Sequence, residues 1–297
     1  MAQEKKVNLA FNRGVMSTLG LARIDIDRMG MSAETQTNFM PRVLGSMMLR
    51  PGMKYIGDNA NDAAVRMIPF VFAEDDYALL EVTNTNTRVW IDDVVVTRPA
   101  VTSAVADGTF VSAATVAANW FDNDEAGGAS AWATGGYLAL LGDDTNRAIR
   151  SQQVTTVETG VEHALRVVVA RGIVTLRVGS TAAADDYVSA TSLGAGTHSL
   201  AFTPTGNFFI EVSSVLSYTS LLDSIVVESS GVMELPTPWT TAQLPDIRSD
   251  QSGDVIYVAC YGVHQYKFER RATRSWSIVK YEPLTGPFRS QYTGLAI

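Results

Sequence analysis

The sequence is poor in the residues that site chemistry usually needs. Among 297 residues there is one cysteine, Cys260, which excludes an internal disulfide and a cysteine-rich zinc site. No uncharged apolar run reaches 18 residues, so no helical membrane span is expected. The start, residues 1–14, lacks the apolar stretch of a secretory signal, and synthesis in a cytoplasm without export by the usual route is expected. Only three histidines occur, His163, His198 and His264, in separate strand-like contexts that suit strand or surface residues better than a base or metal ligand. A nucleophile elbow, a phosphate-binding loop and an H-E-x-x-H pair are all missing. No enzyme activity and no cofactor are therefore expected. Basic excess is missing too: 23 Lys and Arg against 31 Asp and Glu leave −8, which argues against a sequence-reading nucleic-acid binder.

What is present is an ordinary globular composition, 46% hydrophobic and 18% charged, with enough apolar mass for a large core. Its charge is unevenly spread. Residues 99–230 hold thirteen acids, five arginines and no lysine, so the whole net charge lies there and the two flanks balance. A mid-chain shift of that size reads as a separate module with its own surface, its junctions at Arg98-Pro99 and Ser230-Gly231 acting as hinges. Inside it, Glu162–Val169, Ile173–Val178, Ser199–Thr203, Phe208–Val212 and Leu221–Val227 are short apolar runs separated by glycine- and proline-rich turns. That pattern predicts an antiparallel, jelly-roll-like β-sandwich without a helix, with Arg171-Gly172 as a hairpin turn.

The flanks, 1–98 and 231–297, predict one discontinuous, mainly β scaffold domain carrying the sandwich as an insertion. Residues 1–20 read as an extended arm, and Asp25–Thr37 as a short helix with Asp25 as its N-cap, ended before Pro41. Val65–Phe72, Tyr77–Val82 and Thr87–Val96 read as strands before the insertion; Val255–Cys260, Gln265–Arg270 and Trp276–Lys280 read as strands after it.

Candidate binding residues are few. Asp122, Asp124, Asp143 and Asp144 offer the hard oxygens calcium prefers, but without the spacing of an EF-hand loop, and acidic loops needing no metal are the favoured explanation. Adjacent acids such as Asp143-Asp144 and Asp185-Asp186 point to opposite faces of a strand and do not make a glycosidase pair. Trp120, Phe121, Trp132 and Tyr137 could stack on a sugar, although a sandwich core uses the same residues. Lys267, Arg270, Arg271, Arg274 and Lys280 put five cations within 14 residues, either a solvated strand face or a patch for a channel or a neighbour. Strand alternation sets Lys267 with Glu269 on one side and Phe268 with Arg270 on the other, so only a subset can share a face.

Several flank segments fit a known pattern. Asn38-Phe39-Met40-Pro41-Arg42, Gly45 and Arg50-Pro51-Gly52-Met53-Lys54-Tyr55 resemble a signature of podophage tail nozzle proteins, the tail tubular protein B group. Arg66–Phe72 with Tyr77–Glu81, then Leu235–Trp239, Leu244–Arg248 and Gln251–Val258, are similar to further blocks of that family in the same order. Family members are commonly longer and continue into propeller-like blades, so the chain looks like a short form. The 99–230 segment is similar, more loosely, to carbohydrate-binding sandwiches inserted in such phage proteins.

The resemblance implies a structural virion protein: a ring, expected to be hexameric, around the DNA exit channel below the portal adaptor, in contact with other tail proteins. A wall that DNA slides past needs no catalytic residue, and a charge-balanced scaffold would not grip phosphate. It implies that the acidic insert faces outward. Arg42, Arg50 and Arg66 are candidates for assembly ion pairs, and the methionines of the first third suit adaptable interfaces. The alternative is a glycan-binding protein acting through the 99–230 module.

Overall fold

The computed structural model describes residues 10–20, 23 and 25–283. The first nine residues of the expected arm and the segment around Gly286-Pro287-Phe288 lie outside them. The chain divides into two compact units, residues 1–57 and residues 58–297.

The first unit has little regular structure. Thr18–Gly20 and Asp27–Met31 are 3-10 turns, and β1 (Phe39–Pro41) pairs antiparallel with β2 (Met47–Leu49). The helix expected over Asp25–Thr37 is therefore corrected to one turn. Its N-cap is Ile26, whose aliphatic side chain cannot accept from the free N–H groups, while the Asp25 carboxylate is held by Arg23 at 2.9 Å. Gly30 within the turn further weakens winding.

The second unit is mainly β and almost wholly antiparallel. Its first strands are β3 (Arg66–Ala73), β4 (Asp76–Thr83) and β5 (Asn86–Ile91), followed by the short β6 (Val94–Val95) and β7 (Thr97–Arg98). Next come the helix α1 (Ala113–Asn119), β8 (Phe121–Asp122), β9 (Ala129–Ala133), β10 (Tyr137–Leu141) and β11 (Ala148–Val154). The middle of the chain continues through β12 (His163–Arg171), β13 (Val174–Gly179), β14 (Val188–Leu193), β15 (Gly196–Phe202), β16 (Phe208–Ser214) and β17 (Ser220–Val227). After the short β18 (Gly231–Val232) and β19 (Glu234–Pro236), the last strands are β20 (Arg248–Ser252), β21 (Val255–Cys260), β22 (Val263–Ala272) and β23 (Ser275–Lys280).

Two hydrophobic cores form. One draws only on residues 105–227: Leu165, Val167 and Leu222 on one sheet meet Leu176, Ile210 and Val212 on the other, with Phe110, Trp120 and Phe208 among the largest buried side chains. The other joins Ile68, Phe70, Leu80 and Val89 to Leu235, Trp239, Leu244, Ile256, Phe268 and Trp276, from the two sides of the 99–230 segment. The sheets do not stop at that division. A nine-stranded sheet runs β20-β21-β22-β23-β15-β12-β17-β10-β9, and β23 pairs with β15 through Gly196↔Val279 and His198↔Ser277. Gly196 permits this pairing, because a Cβ there would lie 2.1 Å from the Ile278 carbonyl oxygen.

Two expectations are corrected. Arg171-Gly172 is no hairpin: β12 belongs to the nine-stranded sheet, whereas β13 belongs to a five-stranded sheet ordered β14-β13-β16-β11-β8, so the turn crosses between layers. A side chain at Gly172 (φ +77°) would meet Ser220 at 2.6 Å, which is why the crossover can be so tight. The 99–230 segment also contains a helix. Ser112 caps α1 by accepting from the Thr115 N–H at 3.2 Å, and Thr115 returns the bond by accepting from the Ser112 N–H at 3.1 Å.

Candidate functional site

The five clustered cations are positioned by β22, β23 and the turn between them, and four of them are spent inside the chain. Arg270 lies on the Phe268 side of β22, as strand alternation requires. Its guanidinium sits 5.6 Å over Phe70 and 5.0 Å over Phe72 and binds Asp76 at 2.7 Å. On the other side, Glu269 takes both Lys267, at 2.6 Å, and Arg271. Arg271 also donates to the Ser192 carbonyl at 3.1 Å, and Arg274 binds Glu162 at 2.6 Å. Lys280 is exposed and makes no ion pair among the described residues. A phosphate approaching this cluster would have to displace a carboxylate at four of the five positions, so the five do not act together as one free cationic patch.

The cluster borders a buried charge seam. Arg98 is 4% exposed and uses its whole fork: Glu228 at 2.8 Å, Glu162 at 3.1 Å, the Ser199 hydroxyl at 2.7 Å and the Arg274 carbonyl at 2.9 Å. Glu228 also accepts from Arg166 at 3.0 Å and from Ser199 at 2.7 Å, and Arg166 donates to the Glu234 carbonyl at 2.6 Å. The seam thus ties residues of the 99–230 segment to residues on both sides of it, and Arg98 is a buried anchor rather than an exposed hinge. Buried charges of this kind hold only while every partner is present. His198 lies fully buried nearby between β15 and β23. Its Nε2–H donates to the Gly194 carbonyl at 2.9 Å, which leaves Nδ1 to accept from the Ser277 hydroxyl at 2.8 Å. Burial pushes its pKa down to about 4.

The acids proposed for calcium do not converge. Asp122 pairs with Arg150 at 2.9 Å, and Asp124 accepts from Ser130 N–H and Ile149 N–H, both at 2.6 Å. Asp143 accepts from the N–H groups of Thr145 and Asn146, and these backbone hydrogen bonds hold its carboxyl below the usual range. Asp144 accepts from Ser217 N–H at 3.0 Å. Each carboxylate organises its own loop, and among the described residues no three acidic, histidine or cysteine side chains come together as a metal site. Two of the sugar-stacking aromatics are likewise committed elsewhere. Trp120 is 1% exposed inside the core, while Trp132 is half-buried against it and donates to the Phe110 carbonyl at 2.8 Å. Tyr137 is half-buried in β10, and the exposed ring of that group is Phe121. His163 is buried, with its Nδ1 2.9 Å from the Val161 carbonyl, and Cys260 is a buried free thiol.

Arg42, Arg50 and Arg66 are all exposed. Arg42 and Arg50 belong to a unit with a property that periodicity alone did not expose: none of its described residues is buried. Leu19, Val43, Leu44 and Met53 are 88–97% exposed, with Leu49 and Tyr55 also largely open. The methionine-rich composition was the one signal for this. No family model matches the chain, and no curated protein matches it in sequence.

Proposed function

We propose that the protein is a structural subunit of a bacteriophage tail, one of a ring of six copies surrounding the DNA exit channel below the portal adaptor. It would be assembled in the host cytoplasm and carried in the virion tail. The observation that carries this reading is the first unit: an apolar segment with no buried residue among those described, on a chain whose remainder has two closed cores. Exposed apolar surface on that scale marks a contact with other protein. Support also comes from the segments that carry the nozzle resemblance. Arg66–Phe72, Tyr77–Glu81, Leu235–Trp239, Leu244–Arg248 and Gln251–Val258 are far apart in sequence and contribute to one core. Gln251 ties the two sides together, accepting from Val71 N–H at 3.0 Å and donating to the Val71 carbonyl at 2.7 Å.

The reading assigns no catalytic step. DNA would pass without sequence recognition, touching at most scattered cations such as Lys280, since the neighbouring four are held by the chain's own acids. The alternative, glycan binding through residues 99–230, loses its main platform because Trp120 is in the core. Native mass spectrometry of the purified 32.0 kDa chain tests the proposal. A closed ring of copies is the expected result; a monomer at micromolar concentration overturns it.

A further inference from the structure

The sheet formed by β3, β4 and β5 is apolar on both faces. Ile68, Phe70, Ala78, Leu80 and Val89 on one face enter the core. The opposite face carries Met67, Pro69 and Val71 on β3, Tyr77 and Leu79 on β4, and Trp90 on β5, by the register Val71↔Tyr77, Pro69↔Leu79 and Leu79↔Trp90. At one end this second face is closed: Glu81 is fully buried there, taking Arg88 at 2.7 Å, Trp90 Nε1–H at 2.6 Å and Ala60 N–H at 2.7 Å. Toward the β3–β4 turn it is open, with Val71 58% and Tyr77 49% exposed, while Met67, opposite Glu81 at the other end of β3, is 42% exposed. The open end is rimmed by the exposed acids Glu74, Asp75 and Asp92.

The edge of β3 cannot take an added strand. Pro69 has no N–H to give, and the Val71 N–H and carbonyl are already held by Gln251. A partner must therefore lie on the face and bind through side chains. The first unit has the matching properties: it exposes apolar side chains, none of its described residues is buried, and residues 10–57 hold six cations (Arg13, Arg23, Arg28, Arg42, Arg50, Lys54) against three acids. Net positive charge meets an acidic rim, and apolar surface meets apolar surface.

We infer that the open face of the β3–β4–β5 sheet is the receptor for the 10–57 segment of a second copy of this chain. This rests on the ring proposal and names the surface through which the ring closes. Each subunit would give its 10–57 segment to one neighbour and take that of the other, a head-to-tail contact that closes on itself in a ring.

The test is photo-crosslinking of the full chain with benzoylphenylalanine at Tyr77, in assemblies mixed from isotope-labelled and unlabelled copies. Crosslinks from Tyr77 to peptides of residues 10–57 that join labelled to unlabelled chains are the expected result. Crosslinks confined to one chain, or reaching another segment of the neighbour, overturn the inference while the ring reading stands. A chain that stays monomeric overturns both. Val71→Asp provides a second readout, because it leaves the Val71 backbone bonds to Gln251 in place. It is expected to raise the concentration needed for assembly at least tenfold with the unfolding midpoint of the 58–297 unit unchanged; unaltered assembly contradicts the inference.

Discussion

Residues 10–57 and residues 58–283 have comparable chemistry and opposite outcomes. The first segment contains Phe39, Val43, Leu44, Leu49, Met53 and Tyr55 and buries none of them; the second buries Trp120, Trp239, Trp276 and Phe110 almost completely. Apolar content is therefore not what makes a core here. Closure does: in the longer segment, strands far apart in sequence pair so that their apolar faces meet, whereas the described residues of the shorter form a short hairpin, a single bridge and two 3-10 turns. The contrast divides the molecule into a part with two closed cores and a part that leaves its apolar surface open, which the ring proposal assigns to a neighbour.

The largest expected effect breaks the stable side of this contrast. Arg98→Ala strips a guanidinium from Glu228, Glu162 and Ser199 and leaves buried carboxylates short of a partner. A loss of about 3–5 kcal/mol in urea-induced unfolding of the 58–297 unit is expected. A loss below 1 kcal/mol would mean that water reaches the seam.

Acid should act next, through His198. Its folded pKa of about 4 lies below the ordinary value of 6.5, so the folded state binds fewer protons than the unfolded state between these pH values. Stability from this group is complete above pH 6.5 and is lost as pH falls toward 4, by about 3 kcal/mol. Unfolding measured at pH 7 and pH 4.5 should show a steeper acid loss in the native chain than in His198→Asn. Equal slopes would contradict the burial of a neutral imidazole.

Ser112→Ala should cost about 1 kcal/mol by removing the α1 cap, read from the urea midpoint. The smallest effect on folding is expected within residues 10–57. Leu44→Ser alters a side chain 97% exposed and should change the unfolding free energy of the 58–297 unit by less than about 0.5 kcal/mol, while lowering the fraction assembled in sedimentation. A large loss of folding stability would erase the distinction between the two regions.

Much of the strand content was legible because β-branched runs bounded by turns have few other outcomes, as in Val255–Cys260 and His163–Val169. β14 was not, since Ser189, Ala190, Thr191 and Ser192 carry no apolar alternation and are strand only because β13 pairs with them. The helix α1 was hidden for a similar reason: seven residues, rich in alanine, with a Ser-x-x-Thr cap in place of the stronger Ser-x-x-Glu signal. At Arg171-Gly172 the local signal for a turn was sound, but a turn does not say which sheet receives the next strand. The seam lay beyond sequence reasoning altogether, since Arg98 and Glu228 are 130 residues apart and nothing local pairs them. Trp120 and Trp132 show the converse limit, because an aromatic meant for a ligand and one meant for a core look alike until burial is known.

Amide hydrogen exchange of the full chain, followed at several protein concentrations, tests most directly whether the arm is an offer to a neighbour. Amides of residues 10–57 should be protected where copies assemble and should lose that protection on dilution, while those of β12 and β15 remain protected throughout. Arm amides that exchange freely at every concentration, or stay protected in the dilute monomer, would contradict the account.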